Sequence, residues 1–211
     1  MAHGSKEGVV YLMDADSLGG ADHQTTLYTS PRLGNDRQMC CEGIGIWGGL
    51  STARDDEGQT WLYVPMGGPV ASGAPRFPMT NGENPHGSFM AFKVVADGKT
   101  GNPILQPAWN SGDFDLPDPA VIANGVIFAL ATGENAVQKG GEDRRLLNTH
   151  PAVLKALDAK TGNTLFNSKD AFASWVHFSG LAVSDGHVFA VDHDSNVYCF
   201  GLPPRSPATA R

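Results

Sequence analysis

The side chains that could do chemistry are few and lie between apolar runs. His177, in Trp175-Val176-His177-Phe178-Ser179, is an imidazole among aromatic and aliphatic neighbours, able to exchange a proton near neutral pH. Glu134, in Thr132-Gly133-Glu134-Asn135, offers a carboxylate that could share proton transfer with it. His177 and Glu134 are therefore the candidate catalytic pair. Glu134 with Asn135, and Asn35 with Asp36, present the hard oxygens that calcium takes, and these four are the candidate metal ligands. Solvated loop polarity is the competing account of them. His86, His150 and His193 recur just before strand-like runs, as metal or acid–base groups or as ordinary polarity at a repeated loop position. The three cysteines, Cys40, Cys41 and Cys199, fit no zinc spacing and no disulfide scaffold, and Cys199 is expected to be a small buried hydrophobe. No Gly-x-Ser-x-Gly elbow, phosphate-cradling loop or Cys-x-x-Cys-His haem attachment is present.

The elements that must position these groups are strands. Short β-rich runs recur between Gly, Pro, Asn and Asp, among them Gly8 to Ala15, Gly87 to Val94, Ala152 to Ala159 and Asn196 to Gly201. After the first three comes a strand with a central aromatic: Leu27 to Ser30, Pro107 to Ser111 and Thr164 to Ser168. Two further runs follow each time, joined at Asn124-Gly125 and Asp185-Gly186 by two-residue hairpin signals. Four antiparallel strands per repeated unit is the pattern of a β-propeller. The expectation is an all-β partial propeller in one domain over 1–202: an orphan strand at 8–15, then three four-stranded blades at about 26–95, 106–159 and 163–201. Residues 203–211 read as a frayed tail. The long loops, near 31–45, 66–86 and 131–150, should share one face and carry the function.

The segment Lys155-Ala156-Leu157-Asp158-Ala159-Lys160-Thr161-Gly162-Asn163-Thr164-Leu165-Phe166 resembles the repeat of pyrroloquinoline-quinone (PQQ) binding-like propellers, with Tyr11 to Asp16 a weaker copy. That resemblance implies fold more than activity, because the class includes scaffolds and binders. It also implies a cofactor reading. In its alcohol dehydrogenases a vicinal cysteine pair forms a disulfide ring stacked on the quinone, and Cys40-Cys41 precedes Trp47-Gly48-Gly49-Leu50 in similar order, which makes Cys40, Cys41 and Trp47 the candidate quinone contacts. Propeller lactonases, by analogy, hold an axial calcium that polarises an ester carbonyl. Three functions follow: a ligand-binding or scaffold module, including a piece of a longer propeller; a calcium-assisted hydrolase of lactones or esters such as acyl-homoserine lactones; and a degenerate quinone-dependent dehydrogenase. These readings fix no cofactor; of the two they imply, calcium ranks ahead of PQQ.

Composition sets the outer bounds. Among 211 residues, 26 Gly and 14 Pro lie scattered between apolar runs, which argues against collagen, wholesale disorder and a long helical bundle. A formal net charge of −7 disfavours nucleic acid as a partner. No stretch approaches 18 apolar residues, and the first seven lack a signal-peptide core, so neither membrane insertion nor ordinary export is expected, although the resembling class is often periplasmic or secreted. The remaining partners are a small molecule, a second copy forming a homodimer, or further blades, since an open propeller leaves a stacking face at each end.

Overall fold

The structure, a computed structural model, describes residues 1–36, 44–135 and 146–202. It is all-β and divides into four small sheets. The first holds β1 (Ala2–Gly4), β2 (Val10–Leu12) and β3 (Tyr28–Thr29), antiparallel in that order. The second takes β4 (Ser51–Arg54), β5 (Thr60–Gly67), β6 (Met79–Thr80), β7 (Gly87–Ala96) and β8 (Pro103–Asn110). Its order is β4-β5-β7-β8-β6, antiparallel except where β6 runs parallel to β8. The third is the meander β9 (Val121–Ala123), β10 (Val126–Ala131), β11 (Val153–Asp158) and β12 (Thr164–Asn167). The fourth is β13 (Leu181–Ser184), β14 (His187–Val191) and β15 (Val197–Gly201).

Local chemistry explains the pairing. Asp158-Ala159-Lys160-Thr161-Gly162-Asn163 joins β11 to β12, with Asp158 Oδ1 accepting from the N–H groups of Lys160 and Thr161 and from Thr161 Oγ1. Asp97-Gly98-Lys99-Thr100-Gly101-Asn102 repeats that turn between β7 and β8, Asp97 Oδ1 accepting from Lys99 and Thr100 N–H. A serine pins the other end of each such pair. Val10, Phe89 and Leu154 donate their N–H groups to the hydroxyls of Ser30, Ser111 and Ser168, whose own N–H groups return to the same three carbonyls.

These hairpins correct the expected strand grouping. Each aromatic strand, β3, β8 and β12, pairs with the strand before it and does not open the next unit. The sheets therefore run one strand out of step with the ranges 26–95, 106–159 and 163–201. The segment 8–15 is not an orphan either, because β2 is flanked by β1 and β3. For β8 and β12 a turn closed on its own aspartate side chain is too short to cross to another sheet, and β3 is held to β2 by the paired bonds between Val10 and Ser30.

The four sheets stack in chain order as open layers of a partial, propeller-like fold. Period-two alternation feeds both faces of the inner layers. Val10 and Leu12 meet Leu62, Val64, Met66, Met90 and Phe92 between the first and second sheets. Trp61, Tyr63, Phe89 and Trp109 meet Ile127, Ala129 and Leu157 between the second and third. Leu130 and Leu154 meet Val188 and Ala190 between the third and fourth. Each large side chain so buried contributes roughly 1.5–3 kcal/mol. At the shared inner edge β9 lies against both β4 and β13. Cys199, expected inside, is exposed on β15, because among the described residues no layer covers the outer face of the fourth sheet.

Candidate functional site

The segments leading into β4, β9 and β13 and the loop leaving β10 emerge at one end of the layers. Backbone bonds hold them there. Asp118 N–H donates to Leu130 O, Thr132 N–H to Asp115 O, and Val176 N–H to Thr132 O. Thr132 Oγ1 donates to Leu116 O, and Ser51 Oγ donates to Ala120 O. Gly133 turns the chain after β10 at φ 66°, where a Cβ would strike the backbone of His150. His150 N–H donates to Gly133 O and its Nε2 lies 2.6 Å from Asp115 Oδ2. His86 does the same one sheet earlier, Nδ1 lying 2.8 Å from Asp113 Oδ2. Asp113's hydrogen bond and charge raise the His86 pKa above its ordinary value. Both histidines thus tether the 111–118 segment. His193 stacks on Trp175 with ring centroids 4.2 Å apart.

Within that frame the two candidate catalytic residues meet. His177 Nδ1 lies 2.7 Å from Glu134 Oε2. A carboxylate only accepts, so Nδ1 of the imidazole carries the hydrogen in this contact. The Glu134 side chain is 4% exposed and that of His177 32%, so the pair runs from the interior to the surface. Beside it lies a residue that the sequence did not single out. Asp118, 5% exposed, has an Oδ2 with no hydrogen-bond partner among the described residues. Burial, with the Glu134 charge adding to it, pushes its carboxyl up to about 6, and the nearby His177 pulls the other way. Its only sequence signal is the run Leu116-Pro117-Asp118-Pro119-Ala120, in which Pro119 biases the aspartate before it toward extended chain.

The other candidates are placed differently. Trp47 is buried against Leu116, with Lys6 Nζ 4.2 Å from its ring centroid and Phe178 stacked at 6.5 Å. A ring so covered offers little open face to a quinone. Cys40 and Cys41 lie outside the described residues. Asn35 Nδ2 donates to Lys6 O, Asp36 Oδ2 accepts from Ser72 N–H, and Asn135 Nδ2 donates to Leu147 O. Among the described residues no three His, Cys, Asp or Glu side chains converge to hold a metal ion. These bonds run to three different backbone groups and do not by themselves draw Asn35, Asp36, Glu134 and Asn135 into one donor set.

What the arrangement can do is bind and exchange protons. It offers an imidazole oriented by a carboxylate, a second carboxyl with high proton affinity, and the exposed ring of Phe178 beside the imidazole at 4.3 Å. No family model matches the chain, and no curated protein matches it.

Proposed function

We propose that the chain is a small-molecule binding module built on a partial propeller of PQQ-binding-like repeats, its ligand site formed by Asp118, Glu134, His177 and Phe178. The observation that carries this reading is the contact between buried Glu134 and His177 where segments from successive sheets meet. A purely structural contact there could use apolar side chains and avoid the desolvation of a buried carboxylate. The long-loop end of a rigid β scaffold is also where binding groups are usually displayed. The same contact favours a second reading, lactone or ester hydrolysis, with His177 as the base and Glu134 as its orienting partner. Quinone chemistry draws less support, because Trp47 is enclosed.

The test is turnover of an acyl-homoserine lactone, with calcium and with chelator, alongside dye reduction after adding PQQ. The binding-module reading expects neither activity. The hydrolase reading expects turnover that His177→Ala and Glu134→Gln each cut about 10²-fold. Dye reduction that depends on PQQ would overturn both.

A further inference from the structure

The third and fourth sheets begin alike and finish differently. In the third, β11 runs into the hexapeptide Asp158 to Asn163 and returns as the outer strand β12. In the fourth, β15 holds the place of β11, but Gly201-Leu202-Pro203-Pro204 follows where the hexapeptide should be. Its two prolines have no N–H to give to a ladder. Among the described residues the sheet order ends β13-β14-β15, with one side of β15 unpaired. The phase of the ladder says which groups that side presents. Asp192 N–H donates to Asn196 O, so the bonded pairs continue at Ala190 with Tyr198 and at Val188 with Phe200. The N–H and C=O groups of Val197, Cys199 and Gly201 turn the other way, to the free edge. Neither a charge nor a proline lies within Val197 to Gly201 to guard it.

A second observation comes from the sheet beneath. Where the second and third sheets stack, the hexapeptide covers the aromatic of the outer strand. Trp109 is fully buried, its Nε1 donates to Ala159 O at 3.0 Å, and a Cβ on Gly162 would strike its ring. Phe166-Asn167-Ser168 on β12 repeats Trp109-Asn110-Ser111, so Phe166 is the same position one sheet later. It pairs with Ala156, which shares a face with Leu154 of the core between the third and fourth sheets, and its ring lies 6.0 Å from that of Phe200 on β15. Yet Phe166 is 44% exposed, because no described hexapeptide or outer strand of the fourth sheet reaches it. A row of free backbone groups thus runs beside a half-covered aromatic, which is what an added strand satisfies: main-chain bonds supply affinity and a side-chain contact supplies selection. A small molecule cannot bond successive residues along an edge. Two copies joined β15 to β15 would bring their β12 strands into collision, since β12 already overhangs β15. The edge suits a single strand.

We propose that the free edge of β15 takes an extended segment of another polypeptide as a fourth, antiparallel strand, with a large apolar side chain laid on Phe166. The probe is a synthetic peptide of the sequence Asp158 to Ser168, the segment that fills the corresponding place on β11. Hydrogen exchange of the full chain, read by ¹⁵N NMR with and without that peptide, tests the proposal. In the free chain the amides of Val197, Cys199 and Gly201 should exchange fast and those of Tyr198 and Phe200 slowly. Saturating peptide should slow the first three by about tenfold or more, as new ladder bonds require. The same peptide with serine for its phenylalanine should bind about tenfold more weakly, the loss expected for one buried aromatic. Phe166→Ser in the chain should also weaken binding severalfold. A thermal melt shows whether that variant is folded, and the peptide arms on the wild type do not depend on it. Protection of Val197, Cys199 and Gly201 already present in the free chain would overturn the proposal, since the edge would then be filled. So would a peptide that leaves the three amides fast, or a serine peptide that binds as tightly as its parent.

Discussion

Asp118 holds its proton more tightly in the folded chain than an ordinary aspartate does, and stability must record that. Its carboxyl is pushed up to about 6 from an ordinary 3.8, chiefly by burial. Between those two values the folded state binds more protons than the unfolded one, so this residue's contribution falls as pH rises through the window and levels off above it. A displacement of that size corresponds to about 3 kcal/mol at most. Asp118→Asn cannot titrate, so the variant should gain on the wild type by up to that amount between pH 4 and pH 7. Urea denaturation at both pH values measures it, and a constant difference between the two proteins would contradict the account. At this scale the sequence marked His177 and Glu134 by residue type alone, and the structure places them in one hydrogen bond. Asp118 escaped notice because an aspartate between prolines looks like a turn. Its significance comes from burial, which no local pattern reports.

Two hairpin turns do much to set the sheets. Asp158 Oδ1 accepts three donors and Asp97 Oδ1 two, in the hexapeptides Asp158 to Asn163 and Asp97 to Asn102. With roughly 0.5–1.5 kcal/mol net for each such bond, Asp158→Ala should cost about 2 kcal/mol and Asp97→Ala about 1 kcal/mol. Chemical denaturation of the two variants tests the ranking, and an unchanged midpoint for Asp158→Ala would show that the turn forms without its side chain. The two-residue turns were plainer in the sequence. Asn124-Gly125 and Asp185-Gly186 link β9 to β10 and β13 to β14, with positive φ at all four residues, as the twist of paired strands requires. Sheet membership was not legible, because a strand's period reveals its two faces but not its neighbour.

Among the described residues the stacked sheets end on an uncovered layer. Aligning Asn124-Gly125 with Asp185-Gly186 makes Phe189 and Val191 the counterparts of Phe128 and Leu130, which pack toward the fourth sheet. On the fourth sheet those positions meet solvent: Phe189 is 37% exposed, Val191 38% and the paired Val197 71%. An apolar sheet face of this kind is a template for association, and a second copy is its expected occupant. Light scattering on the purified chain should give a dimer or larger species, and Phe189→Ser with Val197→Lys should raise the monomer fraction severalfold. A monomer at tens of micromolar would refute this. Alternating apolar residues, glycine- and asparagine-bearing turns and the aspartate hexapeptide are local, so the sequence by itself determined the all-β class, most strand positions and the tight turns. Which strands share a sheet, that β2 has partners on both sides, and that Asp118, Glu134 and His177 come together were decided only by the tertiary structure. The physical reason is that these depend on layers packing and on loops from separate sheets being tied by backbone bonds, and residues tens of positions apart carry no local mark of either.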